Sequence, residues 1–258
     1  MDLGLHGKTA LVVGASRGLG AAVARALVNE GATVVAAARS LDSIAAWRSQ
    51  LPADVAARVI PAQCDMADLA QVEALAKLAG PVDILVNNGG GPPPGPAADI
   101  TLAQWTSQFQ AMAAHLFHLT GLVLPGMRAR QWGRIITIAS SGVEQPIPNL
   151  ALSNGIRAAV MGWSKTLAGE VAKDGVTVNL VLPGRIHTDR VDQLDGAAAS
   201  KQGKSVDDVK TASIAGIPAG RYGRPEEFAD VVAFLASERA SYMTGSRLRV
   251  DGGMIRSI

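Results

Sequence analysis

Short runs of β-branched and other apolar residues alternate along the chain with longer stretches in which apolar residues recur every three or four positions. The short runs are typical of strands buried on both faces, and the longer stretches of amphipathic helices. Strands are predicted at Thr9–Val13, Thr33–Ala37, Arg58–Gln63, Ile84–Val86, Arg134–Ile138, Thr177–Leu182 and Arg247–Val250. Helices are predicted at residues 19–29, 42–50, 67–78, 101–130, 152–173 and 225–236. This alternation predicts one α/β domain over residues 1–258, with a doubly wound parallel sheet of about seven strands and helices on both faces.

Two segments interrupt the alternation. Gly89–Pro96 (GGGPPPGP) is too rich in Gly and Pro for regular structure and predicts a stiff loop. Residues 189–215 are polar, Ala-rich and weakly periodic, which fits either a mobile substrate lid or a solvated pair of surface helices. Parallel sheets of this kind bind ligands beyond the carboxyl ends of their strands, so functional residues are expected there.

Composition narrows the possible partners. The 258 residues are 48% apolar and 18% charged, and the formal charge of +2 includes no Lys/Arg cluster, so no nucleic-acid partner is expected. No apolar run approaches a membrane span and no signal peptide is recognisable, so no membrane contact is expected and the predicted localisation is cytoplasmic. The single cysteine, Cys64, fits a reducing compartment and leaves no metal site to expect.

A glycine-rich turn follows the first predicted strand and leads into the first predicted helix. Its spacing lets the backbone approach a pyrophosphate, and the helix N-terminus stabilises the negative charge. Such a turn alone is equally consistent with a structural role, but the flanking strand and helix favour dinucleotide binding. The candidate cofactor residues in this turn are Gly14, Ser16, Arg17, Gly18, Leu19 and Gly20.

The end of the second strand indicates which dinucleotide is bound. An NAD site usually has an acidic residue here, whereas this chain has Ala38 followed by Arg39 and Ser40. Without a carboxylate to repel it, a 2′-phosphate can be held by Arg39 and by Arg17. The predicted cofactor is therefore NADP(H).

Polar and small residues also follow the third and fourth strands. Asp65, next to Met66, is placed to accept a hydrogen bond from the adenine amino group, and Asn88, Gly89 and Gly90 let the backbone pass close to the ribose. Ordinary turn formation explains the same residues equally well.

These motifs, taken in order, resemble the short-chain dehydrogenase/reductase family, and within it the 3-oxoacyl-carrier-protein-reductase-like members. The resemblance covers nearly the whole chain and implies a Rossmann-type fold. It also implies that a loop after the sixth strand contacts the nicotinamide, and that helices 101–130 and 152–173 form a homodimer or homotetramer interface. The loop residues concerned are Pro183, Gly184, Ile186 and Thr188.

The resemblance also locates the catalytic residues. Family members use Asn, Ser, Tyr and Lys; here Ser140 matches the serine, while Met112, Ser153 and Arg157 stand at the other three positions. Arg157 can still bind the nicotinamide ribose, but its guanidinium stays protonated, and Ser153 is too weak an acid to replace tyrosine. The chain therefore resembles a divergent member that lacks the Tyr-x-x-x-Lys pair.

His187 is the candidate replacement for the missing acid, because it lies in the nicotinamide loop and imidazole titrates near neutral pH. An exposed histidine without a catalytic role fits the same position. The first hypothesis is an NADP(H)-dependent oxidoreductase that acts on a small-molecule carbonyl or alcohol with a non-standard active site. The alternatives are a non-redox cofactor sensor or catalytically silent subunit and, third, a dehalogenase-like or lyase-like reaction suggested by Arg157.

Overall fold

A computed structural model of the chain, which describes residues 2–257, contains one seven-stranded sheet in the order β3-β2-β1-β4-β5-β6-β7, and every neighbouring pair is parallel. The strands are β1 (Thr9–Val13), β2 (Thr33–Ala38), β3 (Val59–Gln63), β4 (Ile84–Asn87), β5 (Gly133–Ile138), β6 (Val176–Pro183) and β7 (Arg247–Val250). Each predicted strand is found within two residues of its predicted ends. The predicted α/β class and the parallel sheet are confirmed.

Helices cover both faces of the sheet. They are α1 (Gly18–Asn29), α2 (Leu41–Arg48), α3 (Ala53–Ala56), α4 (Leu69–Ala79), α5 (Leu102–Phe109), α6 (His115–Ala129), α7 (Ala151–Val171), α8 (Asp189–Gln202), α9 (Val206–Ala215) and α10 (Pro225–Ala236). Residues 189–215 are thus two helices joined by a short turn, even though their apolar periodicity is weak.

Alternate residues of the strands point to opposite faces and build two separate cores. On β1, Val12 packs into one core together with residues of α1, α2 and α10. Its neighbour Leu11 packs into the other core, against α4, α6 and α7. This two-residue alternation within fully apolar strands is what a parallel sheet covered on both faces requires.

The predicted continuous helix over residues 101–130 is wrong in one respect. A π-helical turn at Gln110–Ala114 separates α5 from α6. The wider turn accommodates an extra residue, so the consecutive side chains of Met112 and Ala113 are both buried. The sequence pattern did not reveal it, because apolar residues continue on both sides of the turn.

Within residues 2–257, no helix combines the length and the apolar character needed to span a membrane. The same part of the chain holds no cluster of three or more His, Cys, Asp or Glu side chains arranged to bind a metal ion.

Candidate active site

The glycine turn between β1 and α1 is shaped to admit a phosphate group. Gly14 and Gly18 adopt φ angles of +68° and +55°, which favour glycine. A Cβ atom on Gly20 would overlap the carbonyl oxygen of Gly14, so the turn can close only around glycine. No side chain caps the N-terminus of α1 and its first turn holds no acidic residue, so its free N–H groups fit an anionic pyrophosphate.

Two side chains from elsewhere in the sequence hold this turn in place. The indole Nε1 of Trp47, on α2, donates to the carbonyl oxygen of Ala15 at 2.9 Å. The Nδ2 atom of Asn88, beyond β4, donates to the carbonyl oxygen of Gly14 at 3.3 Å. The sequence pointed to Asn88 as a cofactor contact but gave no signal for Trp47, which reads as an ordinary core aromatic.

The candidate 2′-phosphate pocket lies at the end of β2. Ala38 is 5% exposed and offers no carboxylate, and the exposed Arg39 follows it. The Oγ atom of Ser40 caps α2 by accepting from the backbone N–H of Ser43 at 3.3 Å. Arg17 reaches out from the glycine turn, with its guanidinium 3.7 Å from the Asp189 carboxylate on α8. Both members of this pair are about two-thirds exposed, so the pair is weak and leaves Arg17 free to bind phosphate.

The end of β3 provides the candidate adenine contacts. One carboxylate oxygen of Asp65 accepts from the backbone N–H of Ala67 at 3.0 Å. The carbonyl oxygen of Met66 lies 2.6 Å from Nδ1 of the partly buried His115. This contact ties α6 to the end of β3, which gives His115 a structural role.

The loop after β6 lies beside the glycine turn. The methyl carbon of Thr188 is 3.5 Å from the position of a Cβ on Gly18, so these two candidate cofactor residues meet. A Cβ on Gly184 would come within 2.6 Å of the Asp251 Cα atom, which requires glycine there. The loop is held by Gly223, whose backbone N–H donates to the Arg185 carbonyl and whose own carbonyl accepts from the His187 N–H, both at 2.9 Å.

Ser140 stands directly beyond β5, at the carboxyl edge of the sheet. Its Oγ accepts from the backbone N–H of Gly142 at 3.1 Å, and this leaves its hydroxyl proton free to donate to a substrate oxygen. Ser153 and Arg157 lie one turn apart on α7, and Ser153 is 9% exposed. Asn154, on the same helix, donates to the Ile147 carbonyl at 2.9 Å and holds the loop that follows Ser140.

Arg157 is a partly buried cation that lines the candidate site. Its Nη1 donates to the Ile138 carbonyl at 2.9 Å and its Nη2 to the Gly89 carbonyl at 3.5 Å. Burial lowers the pKa of its guanidinium from its ordinary value to about 10, so the side chain remains charged at neutral pH. Together with Met112 and Asn88, it lines a cavity of about 20 Å³ between α7, the π-helical turn and the sheet.

No tyrosine takes the place of the missing acid among the described residues. The hydroxyl of Tyr222 donates to the Asp195 carboxylate at 2.8 Å, and Tyr242 is fully exposed. His187 points instead toward α8, with Nε2 3.4 Å from the Asp192 carboxylate and both side chains 58% exposed. Glu144, four residues beyond Ser140, is bound by Arg249.

Comparison with known proteins decides the family. The sequence profile described as "Enoyl-(Acyl carrier protein) reductase" matches residues 14–255. The chain is 37% identical over 258 residues to the 3-oxoacyl-[acyl-carrier-protein] reductase of Vibrio harveyi, covering 98% of this chain and 99% of that protein. The chain belongs to the short-chain dehydrogenase/reductase family. The family resemblance stated from the sequence is therefore confirmed.

Other relatives of this short-chain dehydrogenase/reductase carry different names. Nodulation protein G of Azospirillum brasilense is 38% identical over 253 residues, covering 96% of this chain and 98% of that protein. The L-sorbose reductase of Gluconobacter frateurii, solved with NADPH and L-sorbose, is 34% identical, with a TM-score of 0.93 and complete coverage of both chains. The shared fold thus serves proteins with different substrates, and function has to be argued from the site.

Proposed function

We propose that this protein is an NADP(H)-dependent oxidoreductase that acts on a carbonyl or alcohol of a small molecule, with an active site that lacks the usual tyrosine. The observation that carries the proposal is the meeting of two features at one sheet edge. A glycine turn with a free helix N-terminus lies beside Thr188. Ser140 follows β5 at the same sheet edge, and the cationic Arg157 on α7 donates to the Ile138 carbonyl at the end of that strand. The NADPH-bound L-sorbose reductase of the same fold supports the choice of cofactor.

Different residues would bind different parts of the cofactor. The N–H groups at Gly18–Gly20 would hold the pyrophosphate, Arg17 and Arg39 the 2′-phosphate, and Asp65 with Met66 the adenine. The nicotinamide end would rest on the loop Pro183–Thr188, and the ribose beside it on Asn88–Gly90 and Arg157. Ser16 in the glycine turn and Ser40 beyond β2 would donate hydroxyl hydrogen bonds to the 2′-phosphate.

The chemistry requires both hydride and proton transfer, and this chain's residues supply only part of it. When bound, the nicotinamide ring gives or takes the hydride. The Ser140 hydroxyl donates to the substrate oxygen, and the fixed positive charge of Arg157 stabilises negative charge that develops there. Ser153 completes the polar lining. Since Arg157 stays protonated, the proton comes from water, and the missing general acid slows the reaction by about 10²–10⁴-fold.

We also propose His187 as a second source of the proton. Residues 189–215 are proposed to form a lid over the substrate. The 3.4 Å contact of His187 with the Asp192 carboxylate links the imidazole to the first turns of α8. If His187 delivers the proton, activity falls as pH rises through the titration of an imidazole. His187→Gln would then remove that pH dependence.

The same helices that frame the site support a homo-oligomer. Leu102, Phe109 and Leu122, on α5 and α6, are 82%, 40% and 43% exposed, and a subunit interface over these helices would bury them. We propose that α5, α6 and α7 form a subunit interface in a dimer or tetramer and that the protein is cytoplasmic. In light scattering, Leu122→Glu should reduce the oligomer, whereas Leu78→Glu on the exposed face of α4 should not.

The test of the proposed function is NADPH oxidation by the purified protein across a panel of ketones, aldehydes, ketoses, 2-oxoacids and carbonyl-conjugated alkenes. Ser140→Ala should lower kcat about a hundredfold with NADPH affinity unchanged. The pair Ser153→Tyr and Arg157→Lys restores a positioned acid and should raise kcat about a hundredfold. Tight NADPH binding without turnover on any substrate would favour the silent or sensor function instead, and halide release from a haloalcohol would favour the third alternative.

A further inference from the structure

Three loops from neighbouring strands join one another across the carboxyl edge of the sheet. The backbone N–H of Gly95, in the loop after β4, donates to the Asn149 carbonyl at 2.7 Å, in the loop after β5. The Nη2 atom of Arg190, on α8 after β6, donates to the Pro92 carbonyl at 3.3 Å. Because β5 lies between β4 and β6, the Arg190–Pro92 contact joins the loops on either side of the strand that leads to Ser140. The two contacts, here called the roof, therefore bridge all three loops at the sheet edge where the candidate site lies.

The loops that form the roof are stiff. Prolines at positions 92–94 and 96 fix the φ angles on both sides of Gly95. In the facing loop, Asn154 donates to the Ile147 carbonyl at 2.9 Å, and the backbone N–H of Ile147 donates back to Asn154 at 3.4 Å. Neither loop can swing aside without losing backbone hydrogen bonds.

A buried network fixes α8 to the rest of the domain. Asp195, on α8, is 1% exposed and accepts from Arg185 and from the Tyr222 hydroxyl, both at 2.8 Å. Val191 and Ile217 pack beside Tyr222 in a small apolar cluster separate from the two main cores. Moving α8 outward would leave a buried carboxylate without partners, which is strongly unfavourable. This network thus fixes α8 in the position in which Arg190 contacts Pro92.

We propose that this site accepts compact carbonyl compounds free in solution and excludes acyl chains carried on a carrier-protein arm. The proposal rests on the proposed oxidoreductase function and adds the substrate class. A carrier-bound thioester must lie in a groove that stays open along its length, whereas here the roof crosses the site at Arg190–Pro92 and at Gly95–Asn149. Compact substrates need only a brief local opening. The chain would thus differ in substrate size from the carrier-protein reductases to which it is similar.

Calorimetry on the NADP⁺ complex tests the proposal without requiring turnover. The compact probes are ethyl acetoacetate, a set of C3–C6 2-oxoacids and ketoses; the long probe is 3-oxodecanoyl-N-acetylcysteamine, which mimics an acyl chain on the tip of a carrier arm. At least one compact probe should bind about tenfold or more tightly than the long probe. Equal or tighter binding of the long probe overturns the proposal, and so does binding of no compact probe.

Variants of the roof provide the second arm. Arg190→Ala removes the Arg190–Pro92 contact of the roof. Asp195→Asn weakens the buried network that holds α8 while preserving the shape of the side chain. Each variant should raise the affinity for the long probe about fivefold or more. Asp207→Asn, an exposed carboxylate on α9, is the matched control and should change nothing. Amide hydrogen exchange over residues 189–202 should quicken in Asp195→Asn but not in the control. Unchanged long-probe affinity in both roof variants overturns the proposal. Failure of the proposed oxidoreductase function would give a different result from failure of the substrate-size proposal. In that case compact probes bind, but NADPH is never oxidised.

Discussion

Arg157 is a partly buried cation whose removal we expect to stabilise the protein while weakening its hold on the cofactor. Burial lowers the pKa of the guanidinium from its ordinary value to about 10, and desolvation is the cause of the shift. At about 1.4 kcal/mol per pKa unit, keeping the charge in the folded state costs about 3 kcal/mol at neutral pH. Its hydrogen bonds to the Ile138 and Gly89 carbonyls offset about 1–2 kcal/mol of this cost. Arg157→Met, which keeps the length without the charge, should therefore raise the free energy of unfolding by about 1–2 kcal/mol.

The sign of the stability change in Arg157→Met, and its dependence on pH, follow from the lowered pKa of the guanidinium. A base whose pKa is lowered on folding binds fewer protons in the folded state only between the two pKa values, here about 10 and the ordinary value of arginine. Below that window both states are charged and the full penalty applies; the wild type recovers stability only as pH rises through about 10. The advantage of Arg157→Met should therefore be the same at about pH 6 and about pH 8.

Urea and thermal unfolding measure the change in stability, and NADPH calorimetry on the same samples measures the change in affinity. We expect a rise in Tm of about 4 °C and a loss of NADPH affinity of about tenfold, since the ribose loses a charged donor. Arg134→Met is the control: Arg134 is also buried with a lowered pKa, but it donates to Ser237 and Gly133 and stacks on Trp132. Its loss should destabilise. A destabilised Arg157→Met, or one with unchanged NADPH affinity, would refute the reasoning.

Three further outcomes are expected. Arg39→Ala should weaken NADPH binding about tenfold or more and leave NADH binding unchanged in calorimetry; an equal loss for both cofactors would remove Arg39 from the 2′-phosphate site. Tyr222→Phe should lower the free energy of unfolding by about 1 kcal/mol, and its effect should not add to that of Asp195→Asn, because both break one network; additive effects would contradict the shared network. Burial raises the pKa of the Cys64 thiol to about 11, so at about pH 8 its alkylation should be about a hundredfold slower than that of a free thiol, and a rate like that of a short peptide would show that it is accessible.

The cofactor half could be predicted from the sequence because its requirements are local. The positive φ angles of Gly14 and Gly18 and the close approach at Gly20 demand glycine at fixed spacing, between a strand and a helix that are visible in the apolar pattern. The absence of an acid at Ala38 is likewise visible in the sequence itself. For the candidate catalytic side chains, the sequence supplied their positions and the structure supplied their partners, most clearly the two carbonyls bound by Arg157.

The roof and the buried network around Asp195 could not be predicted, because their contacts join residues that are distant in sequence and belong to no recognisable motif. Asp195 lies in a polar, Ala-rich segment that has the composition of a solvated surface, yet it is almost fully buried. Its partners are 10 and 27 residues away along the chain. The only signal was Tyr222, one of two tyrosines, close in sequence to the lid. The π-helical turn at Gln110–Ala114 was hidden for a different reason, since a one-residue insertion in a helix preserves its overall apolar character.

The strand order separates the strand ends of this protein into two groups with different tasks. The glycine turn, the 2′-phosphate pocket and the adenine contacts follow β1, β2 and β3, whereas Ser140 and the roof follow β4, β5 and β6 on the other side of the sheet. Asn88 and Thr188 reach across to the glycine turn, so substitutions away from these two contacts, such as those at Ser140, are the ones that leave the shape of the first group intact. A lineage that exchanges its proton donor keeps a well-folded, cofactor-loaded protein on which selection can act while new chemistry develops. Because of this sheet order, substitutions around Ser140 can change the reaction while the cofactor-binding part of the domain stays folded.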